Sequence, residues 1–200
     1  MAAVESAVVV YLRALHSGAE PFSVLQYELP TRLLAIEVAR EVATLGMLIA
    51  VARLAARSAW EGLLYFALAF GLWDIFYYGW LWVFIGWPPS LLTWDVLFLI
   101  PVPWLGPVLA PIVVSLCLVG GALWLLGRPE LRLSRRAWVL ASAGCVLVLL
   151  SFMIDYRYAL MRTNPPRFRW EIFWPGIVIG IAGMLRDRAL KVRLGQGVSP

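Results

Sequence analysis

The sequence predicts an all-α, polytopic membrane helical bundle: about five transmembrane helices, a re-entrant, proline-broken half-helix and an N-terminal interfacial helix. Three observations carry this. Of the 200 residues 62% are hydrophobic and only 14% charged, with a mean hydropathy of +0.82, against about a quarter charged in soluble domains. The charges lie mostly between long apolar runs rather than within them. Pro101, Pro103, Pro107 and Pro111 cluster inside one such run, where no straight helix could hold them. A soluble enzyme is excluded. The chain divides into an interfacial helix with a polar linker (1–30), one transmembrane domain (31–185) and a basic tail (186–200).

The first fifteen residues lack the features of a cleavable leader, because Glu5 comes early and Arg13 interrupts the apolar core. Val4, Val8, Leu12 and Leu15 recur at helical spacing, which suits a helix lying in the membrane interface. Gly18, Pro21 and Pro30 then break it. Span one is Thr31 to Ala52, long enough at about 1.5 Å per residue to cross a core of roughly 30 Å, although Glu37, Arg40 and Glu41 interrupt its first half. Ser58 and Glu61 have capping-box spacing, giving Glu61 a structural role. Span two follows from Gly62 to Gly86 with one charge, Asp74, and with Tyr77, Tyr78, Trp80, Trp82 and Trp87 crowded toward its far end as in an interfacial belt.

After Trp87-Pro88-Pro89, Ser90 is expected to cap a half-helix, Leu91 to Ile100, that enters the membrane and turns at Pro101-Val102-Pro103-Trp104. The competing reading is one strongly kinked span with an extended start. A full span from about Val108 to Leu126 comes next, then Ala137 to about Ile154, then Trp170 to Leu185, where Gly176-x-x-x-Gly180 and Gly183 allow a neighbouring helix to approach closely. No internal repeat is evident. In this topology Arg53, Arg57, Arg128, Arg132, Arg135, Arg136, Arg186, Arg188, Lys191 and Arg193 share one side. Six arginines lie on the other. The richer side is assigned to the cytoplasm, so the C-terminal tail is cytoplasmic, and the compact links suit a bacterial inner membrane.

Composition narrows the chemistry. A single histidine, His16, rules out bis-histidine haem, and the only lysine, Lys191, lies in the tail, which rules out an intramembrane retinal Schiff base. Cys117 and Cys145 read as small packed hydrophobes rather than a redox pair. Nucleic acid is excluded as a partner, because membrane topology accounts for the pI near 9.6.

Four acids resist a structural explanation: Glu37, Glu41, Asp74 and Asp95 all lie in apolar segments, where an Asp near a helix centre costs about 2.5–3.5 kcal/mol on insertion scales. Helix rise puts Glu37 roughly 9 Å and Glu41 roughly 15 Å below Thr31, and Asp74 roughly 18 Å below Gly86. One leaflet or the midplane therefore holds them. Glu37, Arg40, Glu41 and Thr44 share one face of span one; Ala67, Gly71, Asp74 and Tyr78 share one face of span two, whose small residues are expected to admit span one.

Three readings stay open. The acids, with Arg40, Tyr77 and Tyr78, form a structural network that fixes helix register. Or they form an outward-facing cation or proton site coupled to transport. Or they perform acid–base or metal chemistry on a lipid-borne substrate. Any metal on Glu37, Glu41, Asp74 and Asp95 would be Mg, Ca or Mn, since the donors are all oxygen. Arg157, Arg162, Arg167 and Arg169, on the side that should be poorer in arginine, suggest an anionic lipid headgroup or an acidic partner. The bilayer is the certain partner; other membrane subunits are the expected ones if the chain is an accessory protein.

Overall fold

Polarity here is inside out. In the computed structural model, which describes residues 1–16, 31–128, 131, 133–161, 163 and 165–196, helix α1 (Ala2–His16) buries Glu5, Ser6 and Arg13 while Val4 and Leu15 are 68% and 78% exposed. Helix α2 (Thr31–Ala55) repeats the pattern. Glu37, Glu41, Thr44, Leu48 and Ala52 are buried, whereas Ile36, Val42, Ile49, Val51 and Leu54 face outward. A hydrocarbon surrounding would favour such an arrangement, since it accepts apolar side chains and expels ions.

Helix α3 (Ala59–Ile85) starts at Ser58, whose hydroxyl accepts from the Glu61 N–H, and ends at Gly86, held at φ +65° with its N–H bonded to the Trp82 carbonyl. The Glu61 carboxylate accepts from the Arg57 N–H, one residue before the cap. The capping role expected of Glu61 is thus met by a neighbouring donor.

The segment expected as a half-helix is not helical. It forms strand β1 (Trp94–Val96), paired antiparallel with strand β2 (Leu105–Pro107) in the register Trp94↔Pro107, Asp95↔Gly106 and Val96↔Leu105. Pro101, Pro103 and Pro107 explain the correction: each removes an N–H and pushes its predecessor out of the helical region. A hairpin tolerates them in its loop and at the end of an edge strand. Ser90 accepts from the Leu92 N–H at 3.1 Å, closing a turn rather than capping a helix.

Helix α4 (Leu109–Leu126) follows directly, then α5 (Arg135–Met153), the short α6 (Tyr156–Leu160) and α7 (Trp170–Gln196). Among the described residues three helical stretches are long and apolar enough to cross a membrane: Ala59–Ile85, Leu109–Leu126 and Arg135–Leu160. Trp170–Leu185 is a shorter apolar helix.

The chain forms two units. In the first, Met1–Arg128 with Tyr156–Pro165, α3 is the central element, touched by α1, α2 and α4. Tyr78, Leu81, Trp87 and Val108 form its core, where α3, the hairpin and α1 meet. In the second, Pro129–Asp155 with Pro166–Pro200, α5 and α7 pack through glycine. A Cβ at Gly144 would lie 2.5 Å from the Gly176 carbonyl oxygen and 2.7 Å from the Gly180 nitrogen. Gly176 and Gly183 are likewise filled by α5, as their spacing predicts, while a Cβ at Gly180 would meet nothing within 4 Å.

Candidate functional site

The site residues all belong to the first unit, and α1 joins them. Arg40 of α2 donates from Nε and Nη2 to one oxygen of Glu37, at 2.9 and 2.7 Å. Its other terminal nitrogen pairs with Glu5 of α1. Thr44, one turn on, donates to the second oxygen of Glu5 at 3.1 Å. The face predicted for α2 is therefore real, but the acid that meets it comes from α1.

Glu41 points elsewhere. Both its oxygens lie 3.0 Å from the Leu99 nitrogen in the hairpin loop. That loop is held by Phe98, whose ring packs on Phe70 and Trp73 of α3 and on Trp104 just before β2. A carboxylate fed by a fixed backbone N–H is a strong, directional contact.

Asp95 is 4% exposed. The Tyr78 hydroxyl donates to it at 3.0 Å, and a terminal nitrogen of Arg13 stands 4.0 Å from its other oxygen. The Arg13 guanidinium lies over the Trp87 ring, 4.1 Å from the centroid. Burial pushes the Asp95 carboxyl up to about 6, opposed by Arg13, the Tyr78 hydroxyl and the Val96 N–H.

Asp74 takes a different partner, the Ser115 hydroxyl of α4, at 2.8 Å. The small face around Gly71 admits α4, not span one as expected: a Cβ at Gly71 would sit 2.7 Å from the Ser115 carbonyl oxygen. Tyr77 meets Tyr78 edge-on, 5.2 Å between centroids, and its carbonyl accepts from Ser6 of α1 at 2.9 Å.

The four expected acids thus line the seams between α1, α2, α3, α4 and the hairpin, each with its own donor, rather than converging on one point. Among the described residues no three His, Cys, Asp or Glu side chains are placed to share a metal ion. Glu5, Ser6, Arg13, Thr44 and Ser115 complete the network. A sequence signal existed for α1: Glu5, Ser6 and Arg13 form one narrow polar stripe on an otherwise apolar helix, the reverse of a surface helix with a broad polar face.

The arginine group divides between the units. Arg157 is exposed on α6, and Arg162 lies outside the described residues. In the second unit Arg169 grips Asp155 through two contacts of 2.8 and 3.0 Å, while Arg167, 70% exposed, reaches Glu171 at 3.2 Å. Arg169 is committed to holding the start of α7 against the end of α5.

The chain matches no known protein family, no curated protein and no solved structure.

Proposed function

We propose that this chain is an integral membrane protein whose first unit binds and passes protons through its buried carboxyl groups. The supporting observation is a count. Glu5, Glu37, Glu41, Asp74 and Asp95 are buried, and among the described residues Arg13 and Arg40 are the basic side chains that pair with any of them. Fully ionised, the five acids and these two arginines would carry a net charge of minus three, where even one buried charge is costly. Protons remove that excess without needing several oxygens at one point, so the spread of the acids along the seams favours protons over a metal cation. Hydroxyls of Tyr78, Thr44 and Ser115, each bonded to a carboxyl group, offer relay partners.

In this reading α2, α3, α4, α5 and α7 each cross the membrane. The hairpin lies toward the outer side and the C-terminal tail in the cytoplasm, with a bacterial inner membrane as the setting. A purely structural network is the competing reading, favoured by the donor that each acid possesses. Infrared absorption and proton flux separate the two. Purified protein at neutral pH is expected to show protonated carboxyl groups, and proteoliposomes a proton flux that Glu41→Gln or Asp74→Asn reduces at least tenfold. Fully ionised carboxylates, or equal flux in wild type, both variants and empty vesicles, would overturn the proposal.

A further inference from the structure

The corner where α1 meets the hairpin has the chemistry of a receptor. Asp95 supplies a negative charge, Tyr78 fixes that carboxylate by donating to it at 3.0 Å, and Trp87 offers a ring face. Tyr78 and Trp87 are neighbours, 6.2 Å apart between centroids, and Tyr77 backs Tyr78 edge-on. Trp87, Tyr78 and Asp95 are all nearly inaccessible, with Val9 and Val10 of α1 packed against Tyr78 and Trp87. What fills it is the planar guanidinium of Arg13, over Trp87 at 4.1 Å and 4.0 Å from Asp95.

A ring face beside an acid is the arrangement that selects a flat, weakly hydrated cation over a compact ammonium. The three side chains that meet the guanidinium, Tyr78, Trp87 and Asp95, come from α3, the segment after it and the hairpin, while Val9 and Val10 of α1 pack beside Tyr78 and Trp87. Arg13 is thus a side chain seated among groups that other elements supply.

We propose that Asp95, Tyr78 and Trp87 form a binding site for one guanidinium group, filled in this structure by Arg13 of the same chain. The ligand class is a guanidinium-bearing cation, and Arg13 is its tethered competitor: a free compound of that class enters only when Arg13 leaves. This inference stands on the geometry of the corner; it shares Asp95 with the proton reading, but neither the surplus of acids nor any proton flux enters it.

Complementation tests it. Arg13→Ala removes the occupant and leaves Asp95, Tyr78 and Trp87. Methylguanidinium chloride at millimolar concentration is expected to raise the melting temperature of the purified Arg13→Ala protein on the order of 5 °C, saturably, as ligand binding to the folded state alone requires. Sodium chloride of equal ionic strength should not do so. Wild type, whose site is filled, and Arg13→Ala combined with Trp87→Leu, which lacks the ring face, are expected to stay unshifted. If Arg13→Ala aggregates on extraction, recovery of monodisperse protein in methylguanidinium but not in sodium chloride is the equivalent positive result. No shift in Arg13→Ala, an equal shift in wild type or the double variant, or aggregation in both salts would overturn the proposal.

Discussion

Replacing Gly71 by alanine tests whether close approach of α3 to α4 positions Asp74. The added Cβ would lie 2.7 Å from the Ser115 carbonyl oxygen and 2.8 Å from Val119 Cγ2. A carbon–oxygen contact settles at roughly 3.3–3.6 Å, so the helices must part by more than half an ångström. The obstructing oxygen is backbone and cannot rotate away. That movement falls directly on the Asp74–Ser115 hydrogen bond, now 2.8 Å. Overpacking costs about 1–3 kcal/mol, and a hydrogen bond to a carboxyl group that holds its proton contributes about 0.5–1.5 kcal/mol. Against these stands up to about 1 kcal/mol from the better helix propensity of alanine. The net expectation is a loss of about 1–4 kcal/mol. Gly79, eight residues along the same helix, is the control, since a Cβ there would meet nothing within 4 Å, and Gly79→Ala should be neutral or gain up to about 1 kcal/mol. Reversible unfolding in mixed micelles measures both. Equal midpoints for Gly71→Ala and Gly79→Ala would refute the reasoning.

Two other outcomes follow from the geometry. Asp95 binds its proton more tightly in the folded protein, because its carboxyl is raised from 3.8 to about 6. Its contribution therefore favours the fold fully below about pH 4 and is lost as pH rises through about 6, a change of about 3 kcal/mol. Melting temperature should rise on acidification from about pH 7.5 to 5, and that slope should flatten in Asp95→Asn; an unchanged slope would contradict the assignment. In the second unit, Gly144→Ala meets backbone of Gly176 and Gly180 at 2.5 and 2.7 Å and is expected to cost at least about 1–3 kcal/mol. Gly180→Ala, facing open space, should stay within about 1 kcal/mol of wild type. Thermal melts of the two variants decide this, and equal losses would show that glycine packing does not hold α5 to α7.

Periodicity and punctuation made the helices legible. Ser58 and Gly86 mark the ends of α3, α4 begins within a residue of its expected position, and α5 begins two residues before the expected Ala137. The burial of Glu37, Glu41, Asp74 and Asp95 follows from their apolar surroundings and is observed for all four. Their partners were not legible, because a partner depends on which helices touch, and a single sequence gives faces without neighbours. Gly71 announces a close contact without saying that Ser115 makes it. The hairpin was missed for a different reason. A ten-residue apolar run is ambiguous between helix and strand, and the prolines that break it were read as ending a helix when they exclude one. Glu5 is not among the four acids singled out from the sequence, although its place on a narrow stripe with Arg13 marks it as inward-facing.

The order in which the ribosome delivers these segments matters to how they settle. Glu5, Glu37, Arg40 and Thr44 are all made within the first 44 residues and can satisfy one another early. Arg13 and Glu41 have no such luck: their partners Asp95 and Leu99 emerge more than fifty residues after Glu41. These two contacts can therefore close only after the hairpin has been made, and the amino-terminal third of the chain depends on a later segment to complete its polar contacts.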